Sequence, residues 1–166
     1  YISSDAELRT LTFWTMGSFG GVTWNLLIPA IVVILGAMLY MAPAYRALDL
    51  IQLGEVEAYR LGVDVKGLKY RVIMSAAAAV GASVALSGMI GFVGLVVPHV
   101  ARMLGGVSHR YLLPASATLG AALMISADML ARMVVQPAEL PIGLITSAIG
   151  SPFFLWLIFR MKQNVY

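Results

Sequence analysis

From Val72 to Ala101 the chain runs about 30 residues without a formal charge, and from Leu26 to Tyr45 about 20 more. Few folds tolerate such runs. The shorter one has the length of a helix crossing roughly 30 Å of hydrocarbon, and Pro29 and Pro43 fall near its ends, where a helix accommodates them. The longer one exceeds a single upright crossing and falls short of two full ones. Charge decides between these readings. If the run turns back near Gly88 to Gly91, then Arg46, Arg60, Lys66, Lys69, Arg71, Arg102, Arg110, Arg160 and Lys162 share one side. Only Arg9 and Arg132, of 11 basic residues, remain on the other. The positive-inside rule favours that hairpin, with the nine facing the cytoplasm.

Composition agrees. Of 166 residues, 60% are hydrophobic and 11% charged, against roughly 25% charged in soluble domains. The net charge of +3 sits at the ends of apolar runs rather than on one face, so no nucleic-acid surface is expected. Cysteine is absent, which excludes disulfides and thiolate metal sites on this chain. The opening YISSDAELRT lacks a basic n-region and an apolar core and does not read as a signal peptide.

Further spans are expected at Leu112 to Ala127 and at Ile142 to Phe159, the latter broken by Gly150-Ser151-Pro152 at mid-depth. Ala76 to Ala79, Gly81, Ala82, Ser83 and Ser87 offer small residues for close helix packing. Asp128 and Arg132 stand at i, i+4, a spacing that permits an ion pair. Residues 1–24, with Phe13, Trp14 and Trp24, read as a periplasmic interfacial helix ended by Gly20-Gly21. The fold class expected is an all-α polytopic membrane bundle, a single region over residues 1–166. It has about five transmembrane segments, the interfacial helix and cytoplasmic helices in the 46–71 loop.

That loop, RALDLIQLGEVEAYRLGVDVKGLKYR, is a polar island holding five of the 11 basic and four of the eight acidic residues. Leu50, Leu53, Val56 or Glu57, and Leu61 recur at helical spacing, as in a short amphipathic helix. By pattern alone it reads equally as a docking element or as a solvated connector.

LIQLGEVEAYRLGV (Leu50 to Val63), GFVGLVVPHVARML (Gly91 to Leu104), SHRYLLPASA (Ser108 to Ala117), ADMLAR (Ala127 to Arg132) and AELPIGLITSAIGSPFFLWLI (Ala138 to Ile158) follow one another in order. Together they resemble the C-terminal half of the FecCD family, the permease subunits of ABC importers for iron-siderophores, haem and vitamin B12. Members have ten spans; this chain resembles spans six to ten. The resemblance implies that Leu50 to Val63 forms two short cytoplasmic helices that dock on an ATPase subunit. Leu53 and Leu61 would be the apolar knobs, Gly54 or Gly62 the tight turn, and Glu55, Glu57 and Arg60 the rim charges. It also implies that Arg132 meets an acidic residue of a periplasmic substrate-binding protein, with Glu139 across the same outer turn. A local pair with Asp128 or Glu139 is the alternative for Arg132, and the two roles can coexist.

Pro98, Gly150 and Pro152 are the hinge or pathway candidates, since helix interruptions at membrane depth often line pathways in transporters, with a static kink as an equal reading. Phe13, Trp14 and Met16, with Met89, are pathway candidates as a soft apolar lining for a bulky ligand. His99 is expected to pack between helices or to be hydrogen-bonded rather than to hold haem iron, and His109 to lie at the surface.

The chain has no P-loop, no metal-ligand cluster and no nucleophile–base pair, so it reads as a transport subunit and not an enzyme. It is expected to carry no cofactor, with ATP and magnesium on the partner ATPase. The expected function is ATP-driven import of an iron chelate, ferric siderophore or haem, across the bacterial inner membrane. The C-terminus would be cytoplasmic, and a second permease copy would complete a homodimer within the bilayer. The alternatives are a vitamin B12 permease and a truncated half that only scaffolds a complex. An ion-coupled carrier is disfavoured, because the spans offer almost no buried acids.

Overall fold

A computed structural model describes residues 14–134 and 141–163. Among the described residues the regular structure is helical, with no strand. Helix α1 covers Trp24–Met41. A single 3₁₀ turn, Ala42–Ala44, opens around Pro43 and leads into α2, Tyr45–Ile51. Then come α3, Glu55–Arg60, and α4, Val65–Ser87. The chain continues through α5, Val93–Gly105, α6, His109–Val134, and α7, Ile142–Gln163. Trp24–Ile51, Val65–Ser87 and His109–Met133 are long and apolar enough to cross a membrane, and two shorter apolar helices, Val93–Gly105 and Ile142–Leu157, accompany them.

The hairpin expected within Val72 to Ala101 is present. Helix α4 stops at Gly88, whose φ of 71° suits a residue without a Cβ. Phe92 then takes φ 66° to start α5, a left-handed conformation costly for a bulky residue. The two arms of the hairpin are unequal. The 23-residue α4 begins inside the polar island, where Asp64 caps it by accepting the Gly67 N–H at 3.1 Å. Its first turns carry Lys66, Lys69 and Arg71, so charge hid a stretch that is helical throughout.

Two further expectations are corrected. The N-terminal helical turn ends at Gly17, φ 74°, and not at Gly20-Gly21; the expected helix before Trp14 lies outside the described residues. Helix α7 passes through Gly150-Ser151-Pro152 unbroken. The ring of Pro152 removes one helical N–H, and the 22-residue helix continues past it.

The helices form two packed groups. Helices α1 and α4 lie together, with Ala30 and Ser75 buried. Helices α5, α6 and α7 form the other group. Val96, Val97, Ala101 and Leu112 are buried along α5 and α6. Ala127, Ala131 and Ile142 make a small core where α6 meets α7, covered by Phe19, Met124 and Ile145. An apolar cavity of about 790 Å³ opens between α1, α4 and the start of α6, lined by residues including Met38, Tyr45, Ser75, Arg110 and Leu113.

The groups are tied at both ends. At one end the backbone of residues 14–18 stitches them together. Ser18 N–H donates to Ser87 O at 2.8 Å, Met89 N–H to Trp14 O at 3.2 Å, and Ile142 N–H to Gly17 O at 3.0 Å. Gly88 and Gly143 allow this approach: a Cβ on either would overlap the carbonyl of Trp14 or Met16. The opposite end carries α2, α3 and the α5–α6 turn.

Candidate coupling face

Two glycines shape the polar island. Gly54, φ 111°, separates α2 from α3, and its N–H donates to Ile51 O at 3.1 Å. Gly62, φ 87°, closes α3. Its N–H reaches Tyr59 O at 3.0 Å while the Val63 N–H reaches Ala58 O at 3.0 Å, the paired bonds of a Schellman stop. A Cβ at either glycine would meet open space, so the backbone angle, not crowding, demands glycine there. The single amphipathic helix read from spacing is therefore two short ones.

What this geometry presents is apolar. Ala58, within α3, is fully buried, while Leu53, Val56, Tyr59 and Leu61 are 66%, 65%, 74% and 58% exposed. Val56 and Tyr59, three residues apart, share one face of α3. Large apolar side chains are thus clustered in the open on α3 and its two flanking turns. Charges rim it. Glu57 accepts from Arg60 at 3.1 Å along α3, and Glu55 accepts from Lys69 of α4 at 2.7 Å. Glu55 and Glu57 lie in the first turn of α3 and Arg60 in its last, the arrangement its dipole favours. Leu53, Gly54, Glu55, Glu57, Arg60, Leu61 and Gly62 are thus gathered on α3 and its two flanking turns. Val56 and Tyr59, absent from the sequence reading as site residues, complete the face.

Sequence reasoning also missed what lies beside it. Asp49, on α2, reaches the start of α6. Its Oδ1 accepts the His109 backbone N–H at 2.7 Å and lies 2.7 Å from His109 Nδ1. Its Oδ2 accepts from the Ser108 hydroxyl at 3.3 Å. Because a carboxylate only accepts, Nδ1 carries the proton in this contact. The Gln52 amide then has Val107 O, at 3.3 Å, as its acceptor. His109, expected at the surface, has a side chain only 18% exposed. No local pattern signals a partner 60 residues away.

The other candidates are dispersed. Arg132 donates to Asp128 Oδ2 at 2.8 Å near the far end of α6, the local pair its spacing permits. Glu139 and Phe13 lie outside the described residues. Trp14 is exposed, while Met16 is half-buried with its carbonyl against Gly143. Pro98 lies within the continuous α5, Pro152 within α7, and Gly150 packs on Phe92. None of Trp14, Met16, Pro98, Gly150 and Pro152 lines the 790 Å³ cavity. His99 packs edge-on against Phe153 with ring centroids 5.7 Å apart, which is the helix-packing role expected of it. No group of three or more His, Cys, Asp or Glu residues among the described ones is placed to hold a metal ion.

Similarity to known proteins is extensive. The hemin transport system permease protein HmuU of Yersinia pestis is 49% identical over 164 residues, covering 99% of this chain and 49% of that protein. The vitamin B12 import system permease protein BtuC of Vibrio parahaemolyticus is 44% identical over 160 residues, covering 96% and 48%. A metal-chelate type ABC transporter solved in an inward-facing conformation superposes with a TM-score of 0.87 at 38% identity, covering 96% of this chain and 52% of that one. The chain spans about half the length of the curated relatives it matches. The sequence pattern of the FecCD transport family matches residues 1–160, and the chain belongs to that family of helical membrane proteins.

Proposed function

We propose that this chain is the C-terminal half of a permease subunit in a binding-protein-dependent ABC importer of the bacterial inner membrane. The observation that carries the reading is the exposed apolar face of Leu53, Val56, Tyr59 and Leu61, set by two glycine turns and rimmed with charge. Such a face needs a partner, and a separate ATPase subunit with a complementary groove fits it. ATP and magnesium belong to that subunit, so the chain is no enzyme. The loop and the C-terminus face the cytoplasm, where the positive-inside rule puts the basic residues. Closure of the ATPases pulls on α2 and α3, and the spans tilt to open the pathway to each side in turn. A second permease copy encloses the pathway, and Arg132 and Glu139 face the periplasmic binding protein.

The cargo is an iron chelate, with haem first, because the hemin permease shares 49% identity. Vitamin B12 is the second reading, favoured by the 44% identity to the B12 permease. Co-purification tests the docking assignment: Leu53→Glu in the full-length permease is expected to abolish capture of the ATPase subunit. Undiminished capture overturns it. Uptake in proteoliposomes of haem, a ferric siderophore and cobalamin separates the cargoes.

A further inference from the structure

Helix α6 begins at Asp49's carboxylate and ends beside Arg132. Its 26 residues span roughly 39 Å at 1.5 Å per residue. The first backbone N–H groups of any helix lack intrahelical partners. Here one of them, on His109, is satisfied by an ionised side chain from α2, in a charge-assisted bond of 2.7 Å. The Ser108 hydroxyl and the His109 ring turn to the same carboxylate, and Gln52 of the α2–α3 turn holds Val107 O. By contrast, the Glu55–Lys69 pair that joins the loop to α4 is exposed at both ends. The firmer side-chain attachment of the loop is therefore to α6, beside the cavity that Leu48 and His109 line, and not to the helix that follows it in sequence.

We infer that Asp49 and His109 are positioning residues through which displacement of the α2–α3 pair is passed to α6, a helix continuous through Pro114, and so to its Asp128–Arg132 end. The inference rests on the proposed docking of α2 and α3 to an ATPase. It adds that signals between the two faces of the membrane travel along α6. The linkage works in both directions, as any equilibrium coupling must: a partner engaging the Arg132 end changes the position of the loop.

The test uses the full-length transporter with its ATPase and binding protein, reconstituted in liposomes. Asp49→Ala is expected to leave ATPase capture and basal ATP hydrolysis intact, while stimulation of hydrolysis by loaded binding protein falls at least fivefold. Asp49→Asn retains one carbonyl acceptor for the His109 N–H and is expected to fall less. His109→Gln, which leaves Asp49 and the backbone cap in place, guards against misfolding of the first variant and is expected to lie between the two. Full stimulation in Asp49→Ala and His109→Gln overturns the inference while leaving the docking reading untouched. Loss of ATPase capture in Asp49→Ala also overturns it, since Asp49 would then support docking itself. Failure of the docking reading is seen separately, in undiminished capture by Leu53→Glu.

Discussion

Lys69 Nζ of α4 lies 2.7 Å from Glu55 Oε2 of α3, with about half of each side chain or more in solvent. Exposed pairs of this kind contribute about 0–1 kcal/mol. Glu55→Gln is accordingly expected to leave the thermal unfolding midpoint of the purified permease in detergent almost unchanged. A fall of many degrees would show that this bridge, and not the Asp49 cap, anchors the loop.

Gly150 and Gly105 both pack where a Cβ would overlap a ring-bearing residue, but the obstacles differ. At Gly150 the neighbour is the Cβ and inner ring of Phe92, fixed by its left-handed backbone; at Gly105 it is the outer ring of Tyr111. Gly150→Ala is expected to destabilise by about 1–3 kcal/mol through overpacking. Gly105→Ala is expected to cost less, because the Tyr111 ring, 41% exposed, can swing aside. Thermal unfolding of the two variants side by side checks the order.

Gly62 tests backbone angle without crowding. Its φ is 87° and a Cβ would touch nothing, so Gly62→Ala is expected to cost about 1–2 kcal/mol from left-handed strain alone. Gly62→Asn is expected to cost less, since asparagine tolerates that region. Equal stability of glycine, alanine and asparagine at this position would contradict the Schellman geometry.

His99 meets Phe153 edge-on, and Phe153 in turn lies 5.8 Å from Trp156. His99→Phe preserves an aromatic edge and is expected to be neutral. His99→Ala is expected to cost about 0.5–1.5 kcal/mol beyond its lost area. Neither variant should alter the absorption spectrum of haem presented to the transporter; a shifted Soret band in His99→Ala would make His99 an iron ligand.

The α4–α5 hairpin was legible because charge asymmetry is a global property that a sequence displays directly. The turn at Gly88 to Gly91 followed from it. The start of α4 was not legible, since Val65 to Arg71 is polar enough to pass for loop, and only the Asp64 cap marks the helix. Gly150-Ser151-Pro152 looked like a break because glycine and proline disfavour helix locally, yet packing on α5 carries α7 through them. The candidate face around Leu53, Gly54, Leu61 and Gly62 was readable, because the spacing of these residues is local. Asp49 with His109 was not, because nothing within either segment tells which carboxylate a distant helix start will meet.

The seam that joins residues 14–18 to the α4–α5 turn and to the start of α7 is written in main-chain amides and carbonyls. Apart from the glycines that let the segments of that seam close, its bonds ask nothing of side-chain identity. That rim can consequently exchange side chains at positions other than Gly17, Gly88 and Gly143 while the scaffold beneath keeps its shape.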